Sequence, residues 1–175
     1  MRPLAVLHVH LGARDGCAER QTAALIAGLG RHGHRALGLV LHGGGAERRS
    51  LDAGAPVFPL GPRFPSGPRG LLTWWSRERA RHLAARGAWE LIHYHDPLAA
   101  AAVSPILSGT GGAAAASRTI VTYRGRGARS SPRELPALRR LHRAGAMIVA
   151  ASEALWSALV RQGFDEERLS YIHPG

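Results

Sequence analysis

Short apolar runs alternate with helix-like segments from one end of the 175-residue sequence to the other. Strands that alternate with helices in this way indicate a parallel sheet, because each parallel connection needs a crossover that is usually helical. The apolar runs lie at 4–9, 35–41, 56–60, 90–95, 118–123, 146–152 and 168–173. The sequence therefore predicts an α/β fold, a doubly wound parallel sheet of about seven strands with helices on both faces.

The helix-like segments fill the gaps between these runs. They lie at 18–32, 48–53, 69–86, from Pro97 onward, from Ser131 onward and at 153–162. Gly33 suits a left-handed cap, and Ser131, Pro132 and Glu134 suit an N-cap, a first helical position and a capping box. The low-complexity stretch 108–117 and the stretch "RGRGARSSP" after residue 123 are expected to be loops. We expect residues 1–175 to form a single domain, since no repeat or linker interrupts the pattern.

The basic charge comes from arginine alone. The chain has 23 basic residues, none of them lysine, and a net charge of +11. Without lysine, Schiff-base chemistry and a Walker-type phosphate loop are excluded. Because the arginines are spread over the whole length, they argue against a nucleic-acid partner. Two interpretations stay open: ordinary solvated arginines, or attraction to anions such as diphosphates or an acidic membrane surface.

The cysteine count and the apolar runs bear on the compartment. A single cysteine cannot form an internal disulfide or a multi-cysteine zinc site, which agrees with a reducing compartment. No apolar run is long enough to span a membrane, and the N-terminus lacks the pattern of a signal peptide. We expect a cytoplasmic protein that is able to lie against the inner face of the membrane.

Polar residues follow most of the predicted strands. In an open α/β sheet, ligands bind beyond the carboxyl ends of the strands. The residues at that edge are His10, the loop Gly12–Cys17, His42, His95, Asp96, Arg124, Gly125, Arg126, Ser152, Glu153 and His173. We interpret His95 and Asp96, the polar tip of an apolar strand, as functional, and His93 as a core or interface histidine.

The loop after the first strand has features of an anion site. Gly12 and Gly16 bracket a turn whose backbone amides can hold a phosphate at a helix N-terminus. The loop lacks the G-x-G-x-x-G fingerprint, and the second strand ends in Leu41-His42 without an acidic residue for a ribose. NAD is therefore disfavoured, whereas anion binding remains open.

Cys17 in the same loop allows two interpretations. A helix N-terminus lowers the pKa of a thiol, so Cys17 is a candidate nucleophile with His10 or His95 as its base. A small residue in a turn is the simpler interpretation, and we favour it.

Four histidines suggest a metal site that we weigh and do not adopt. His8 and His10 alternate on the first strand, and His93 and His95 on a strand expected to be its neighbour. With no carboxylate nearby other than Asp96, the pattern is weak, and the sequence-based prediction is no metal and no cofactor.

The helix at 69–86 carries two adjacent tryptophans, Trp74 and Trp75, among Arg77, Arg79 and Arg81. The two rings stand about 100° apart on a helix, so one can face solvent. Docking on an anionic membrane is one interpretation; ordinary packing against the sheet is favoured.

Six fragments, in order, resemble the N-terminal half of a family 4 glycosyltransferase. "GCAERQTAALIAGLGRHGHRALGLVL" is similar to the family's GGAER helix and second strand, and "LDAGAPVFPL" to its third strand. "WELIHYHDP" resembles its HxHDP strand and "TIVTYRG" its TYHG strand end. "AASEALWSALVRQGFDEERLS" and the following "YIHPG" resemble its closing helix and strand.

The resemblance implies one Rossmann-like half of the GT-B fold, in which retaining enzymes pass a sugar from a nucleotide-sugar donor to an acceptor. This half would bind a glycan or lipid-linked acceptor, and a C-terminal domain absent from the chain would bind most of the donor. The chain alone is then expected to be inactive. Alternatives are a non-catalytic or degenerate glycan- or anion-binding domain, and another GT-B enzyme such as a nucleotide-sugar epimerase.

The resemblance also assigns the site residues. Gly12, Gly16 and Cys17 would form the loop that faces the donor diphosphate. The acceptor would contact residues at the ends of three strands, namely His95, Asp96, Arg124, Gly125 and Glu153. No residue of this half is assigned as catalytic.

Three positions depart from the family pattern. Cys17 stands where the family has a second glycine, and Arg124 stands where it has the histidine of TYHG. The third departure is at the family's PNG turn, where this chain has His173-Pro174-Gly175.

Overall fold

The computed structural model describes residues 2–10, 17–41, 54, 56–60, 78–80, 82–83, 89–108, 118–125 and 134–172. Within them lies a seven-stranded, all-parallel sheet with the strand order β3-β2-β1-β4-β5-β6-β7. The strands are β1 (Ala5–His10), β2 (Arg35–Val40), β3 (Val57–Pro59), β4 (Leu91–Tyr94), β5 (Thr119–Tyr123), β6 (Met147–Ala150) and β7 (Leu169–Tyr171). The predicted fold class and strand number are confirmed.

Four helices are described over their length: α1 (Cys17–Arg31), α2 (Pro97–Ser108), α3 (Glu134–Arg143) and α4 (Glu153–Arg161). Residues 78–80 and 82–83 are also helical, as expected for the segment 69–86. The predicted helix at 48–53, the Ser131–Pro132 start of α3 and the predicted loop at 109–117 lie outside the described residues. No described helix has both the length and the apolar character that crossing a bilayer requires.

The last predicted strand, 168–173, is present as β7 and begins one residue later than expected, at Leu169. Residues Glu166–Arg168 form a 3₁₀ turn, and β7 begins at Leu169. The Asp165 carboxylate accepts a hydrogen bond from the backbone N–H of Glu167 (3.1 Å) and thereby caps the turn. Aspartate at this position favours a local turn over strand pairing because its side chain competes for backbone donors.

The two faces of the sheet differ in character. One face carries the main core, with Leu7, Tyr94, Val121 and Ile148 all at 2% exposure or less. Right-handed crossovers place α2, α3 and α4 on this face, because β4 to β7 succeed one another in one direction across the sheet. The chain steps from β1 to β2 in the opposite direction, so α1 lies on the other face.

Helix α1 meets that second face at Gly38 of β2. A Cβ built on Gly38 would lie 3.0 Å from Cδ1 of Ile26 in α1 and 3.1 Å from Cγ2 of Val57. Gly38 pairs with His8 of β1, so the two share a face. The close approach at Gly38 thus places α1 beside His8 of β1.

Candidate functional site

A layer of polar side chains lies on the α1 face of the sheet. His8 pairs with His93 across β1 and β4, and His93 pairs with Ile120 of β5. Alternate residues of a strand share a face. The same layer therefore includes His10 and His95, together with Thr122 and Arg124. The opposite face carries mainly apolar and aromatic side chains, among them Leu7, Val9, Tyr94 and Val121, so the histidines of the described strands are confined to one side.

Three imidazoles of this layer are in contact. Nδ1 of His8 lies 3.0 Å from Nε2 of His95, a hydrogen bond in which one ring donates and the other accepts. The ring centroids of His93 and His95 are 4.0 Å apart, and those of His8 and His93 are 5.4 Å apart. Nε2 of His93 also lies 2.8 Å from the hydroxyl of Thr122, which fixes that ring.

Burial keeps these rings neutral. It lowers the pKa of His8 to about 3, with a smaller contribution from His93, and that of His93 to about 4, with a contribution from Arg124. The pKa of His10 falls to about 4 for the same two reasons, burial and Arg124. Burial lowers the pKa of His95 well below its ordinary value. At neutral pH the layer offers imidazole donors and acceptors without adding positive charge.

Arg124 supplies the charge at the edge of the layer. Its Nη1 donates to the backbone carbonyl of His95 (2.8 Å), so the guanidinium links the end of β5 to the end of β4. Beyond it a cavity of about 420 Å³ opens at the carboxyl edge of the sheet. Its described lining comprises Gln21, Leu25, His93, His95, Ile120, Thr122, Arg124, Val149, Ala151 and Ile172. Of these residues, Arg124 alone carries a charge at neutral pH.

Asp96 has a structural task at this edge. Its Oδ1 accepts hydrogen bonds from the backbone N–H groups of Leu98 (2.6 Å) and Ala99 (3.0 Å), as an N-cap does. These bonds hold the first turn of α2 against the end of β4. The sequence-based choice of Asp96 as a functional residue therefore falls on a helix cap beside the cavity.

Gly125, Ser152 and Glu153 follow the ends of β5 and β6 at the same edge of the sheet. Gly125 has a φ of 61°, a left-handed conformation that lets the chain turn directly after Arg124. Glu153 is exposed in the first turn of α4, and the Ser152 hydroxyl caps that helix by accepting from the N–H of Leu155 (3.2 Å). Neither Glu153 nor Gly125 lines the cavity among the described residues.

The predicted donor loop is described only at its end. Cys17 is the first residue of α1, and its side chain is not described. Gly12 and Gly16 lie outside the described residues, as do Trp74 and Trp75. The same holds for the further edge residues His42, Arg126 and His173.

Sequence reasoning missed Thr122 and Leu25. Thr122 stands two residues before Arg124 on one strand, so strand periodicity already places it on the cavity side. Leu25 is 41% exposed although it lies in the apolar stripe of α1, and it forms part of the cavity wall instead of the core. No sequence signal separates a wall leucine from a core leucine in the same stripe.

The fold has close relatives among solved structures. The crystal structure of Anabaena HepE in complex with UDP and glucose matches with a TM-score of 0.73 at 20% identity. The match covers 97% of this chain and 44% of HepE. A glycosyltransferase from Rickettsia africae matches with a TM-score of 0.68 at 16% identity, over 97% of this chain and 43% of that one. No curated protein gives a significant sequence match.

The architecture is therefore one half of a GT-B glycosyltransferase, and the chain spans less than half the length of these structures. The model of Glycosyltransferase Family 4 matches residues 16–175. The chain belongs to glycosyltransferase family 4.

Proposed function

We propose that this chain is the acceptor-side domain of a retaining glycosyltransferase. The enzyme transfers a sugar from a nucleotide-sugar donor to a glycan or lipid-linked acceptor, and a second domain holds most of the donor. HepE, which shares the fold, is described in complex with UDP and glucose, which agrees with a nucleotide-sugar donor. On this proposal the 175-residue chain alone binds acceptor without turning it over.

The observation that carries the proposal is the cavity at the carboxyl edge of the sheet. It combines one guanidinium, from Arg124, with neutral imidazoles and an apolar wall of Leu25, Ile120 and Val149. A planar cation held by a backbone carbonyl suits a phosphate or carboxylate of an acceptor. The apolar wall suits the flat face of a sugar ring or the start of a lipid chain.

Two of the proposed contact residues, His95 and Arg124, line this opening. Asp96 and Gly125 follow β4 and β5, and Glu153 begins α4, so we assign them to the rim of the same site. The transfer step would draw on positioning of the acceptor and on charge stabilisation of the departing diphosphate, to which Gly12, Gly16 and Cys17 would contribute backbone amides. The protein would act at the cytoplasmic side of the membrane, where the Trp74/Trp75 segment offers a peripheral contact.

The test is equilibrium binding of the 175-residue chain to neutral oligosaccharides and to short-chain lipid diphosphate sugars. We expect the diphosphate compounds to bind, and Arg124→Gln to weaken their binding at least tenfold. Arg139→Gln is the matched control, because it removes one exposed arginine from α3 on the opposite face. Equal losses of binding affinity in both variants would mean that net charge alone causes the effect. That result would contradict the proposed site. Binding without transfer by any longer form of the protein would favour the non-catalytic alternative.

A further inference from the structure

The structure brings one ring nitrogen from each of His8, His93 and His95 to within 4.8 Å of the other two. Among the described residues, this is the only group of three or more potential ligands at such spacing. His8 and His95 are 1% and 5% exposed, and His93 is half-buried at the cavity. Clusters of buried imidazoles at this distance are the usual ligands of zinc, cobalt, nickel and copper.

We propose that His8, His93 and His95 bind a divalent transition-metal ion, for which zinc is the reference case, with one coordination position open to the cavity. The ligands come from two neighbouring strands, so the ion would tie β1 to β4. The inference is independent of the proposed transferase activity.

Two of the three ligands already stand at the spacing that the ion requires, and the third, His93, lies within 4.8 Å of both and has to move toward them. A tetrahedral zinc with bonds of about 2.0–2.1 Å places its ligand nitrogens about 3.3 Å apart. Nδ1 of His8 and Nε2 of His95 are already 3.0 Å apart. The ring of His93 is held by Thr122, which is the kind of outer contact that orients a metal ligand.

Proton bookkeeping also permits binding. In the ion-free form, His8 and His95 share one proton along their hydrogen bond. When the ion takes that position, the donating ring moves its proton to its other nitrogen and both rings stay neutral. Nε2 of His8 and Nδ1 of His95 have no hydrogen-bond partner among the described residues, so either atom can take the proton without breaking a bond.

An entry path exists through the cavity. His93 and His95 both line it, so an ion reaches their nitrogens without passing through the core. A site with three protein ligands and one open position can hold water or an anionic group there. Arg124 opposes the ion, because its guanidinium lines the same cavity and is held 2.8 Å from the backbone carbonyl of His95. The repulsion between the guanidinium and the ion lowers the affinity of the site for the ion. Substitution of Arg124 therefore tests where the ion binds.

The experiment titrates the metal-free 175-residue chain with Co²⁺ and Zn²⁺. We expect one equivalent of Co²⁺ with the visible absorption of a low-coordinate, nitrogen-ligated ion, and a rise in Tm with Zn²⁺. His8→Gln and His93→Gln should each lower the Co²⁺ affinity at least tenfold. His32→Gln, an exposed histidine at the end of α1, is the matched control and should leave it unchanged.

His93→Gln keeps the test decisive if His8→Gln fails to fold, because His93 is half-buried and its replacement faces the cavity. Arg124→Gln should raise the affinity at least threefold, since it removes the opposing charge. The proposal is overturned if the folded chain binds no stoichiometric ion, if both cluster variants bind as tightly as the parent, or if Arg124→Gln leaves the affinity the same or lower.

Discussion

Gly38 leaves little room for a side chain between β2, α1 and β3. Gly38→Ala would place a Cβ 3.0 Å from Ile26 and 3.1 Å from Val57, tighter than ordinary packing. We expect a net loss of about 1 kcal/mol in the free energy of unfolding, since overpacking outweighs the entropy gained by removing a glycine. Chemical denaturation measures it.

Gly30→Ala is the matched control for that substitution. Gly30 lies in α1 with nothing within 4 Å of a built Cβ, so alanine should stabilise by about 0.5 kcal/mol through helix propensity. If Gly38→Ala also stabilised the chain, α1 would not be seated on β2 as closely as the structure shows.

His142 gives the fold a pH dependence at a place far from the cavity. It is buried on α3, and its Nε2 accepts from the backbone N–H of Asp165 (2.9 Å). Burial, followed by the nearby Arg168, lowers the pKa of His142 below 6.5, against a raising effect of the Asp165 carboxylate. As the pH falls, the unfolded chain therefore takes up the proton on this imidazole at a higher pH than the folded chain does. The contribution of His142 to the free energy of unfolding is fully present above about pH 6.5 and is lost as the pH falls through the folded pKa.

The pH prediction compares the parent with His142→Gln, whose side-chain carbonyl can still accept but does not titrate. Between pH 7.5 and 5.5 the parent should lose more stability than the variant, by less than about 1 kcal/mol because solvent screens part of the effect. The other histidines contribute equally to both proteins and cancel in the difference. Parallel pH curves would show that His142 is not held neutral.

Cys17 decides how the loop before α1 is understood. If it stands in place of a family glycine beside a diphosphate, Cys17→Gly in a catalytically complete form of the enzyme should keep or raise the transfer rate. A thiol nucleophile would instead lose essentially all activity on the same substitution. Steady-state transfer assays distinguish the two outcomes, with Cys17→Ser as the conservative companion that removes the thiolate but keeps the size.

At the scale of elements, Asp96 links strand β4 to helix α2. Asp96→Ala removes the acceptor for two backbone N–H groups, and we expect a loss of about 1 kcal/mol in the free energy of unfolding. Asp96→Ser keeps a capping oxygen and should retain most of the stability. Urea denaturation of both variants measures the difference, and equal midpoints for alanine and serine would mean that the cap contributes nothing.

The strands were predictable because central strands of a parallel sheet are buried on both faces and appear as continuous apolar runs. The ends of the strands were less predictable: Arg168 was expected in the last strand and belongs to the 3₁₀ turn before it, because the hydrogen bonds of the capping Asp165 leave no mark on the hydrophobicity pattern. The neighbouring placement of His8 and His93 followed from the expected strand order. The hydrogen bond between His8 and His95 could not be predicted from the strand order, because it depends on side-chain torsions that no sequence pattern fixes. The cap at Asp96 was available from the sequence, because aspartate directly before Pro97 is a common helix start.

At the scale of the whole molecule, the two faces of the sheet differ in role: one packs the core that stabilises the fold, and the other borders the cavity that would bind ligand. The face under α2, α3 and α4 holds the continuous apolar core, whereas the α1 face carries the histidines and opens into the cavity. Substitutions on the first face should change stability, and substitutions at the cavity should change ligand binding at nearly constant stability. The polar layer in the sheet is only partly satisfied: His8 bonds His95 and His93 bonds Thr122, whereas Nε2 of His8, Nε2 of His10 and Nδ1 of His95 are buried without a partner among the described residues.

The division of labour proposed for the two halves of a GT-B enzyme leads to a prediction about nucleotides. The described cavity has one charged residue, Arg124, so it can offset only part of the negative charge of a nucleoside diphosphate. UDP and GDP should therefore bind the 175-residue chain with a Kd of about 1 mM or weaker, equivalent to roughly −4 kcal/mol. Isothermal titration measures this, with full-length HepE, which crystallises with UDP, as the positive control. Micromolar binding of either nucleotide would contradict the proposal that the second domain holds most of the donor and that this half binds mainly the acceptor.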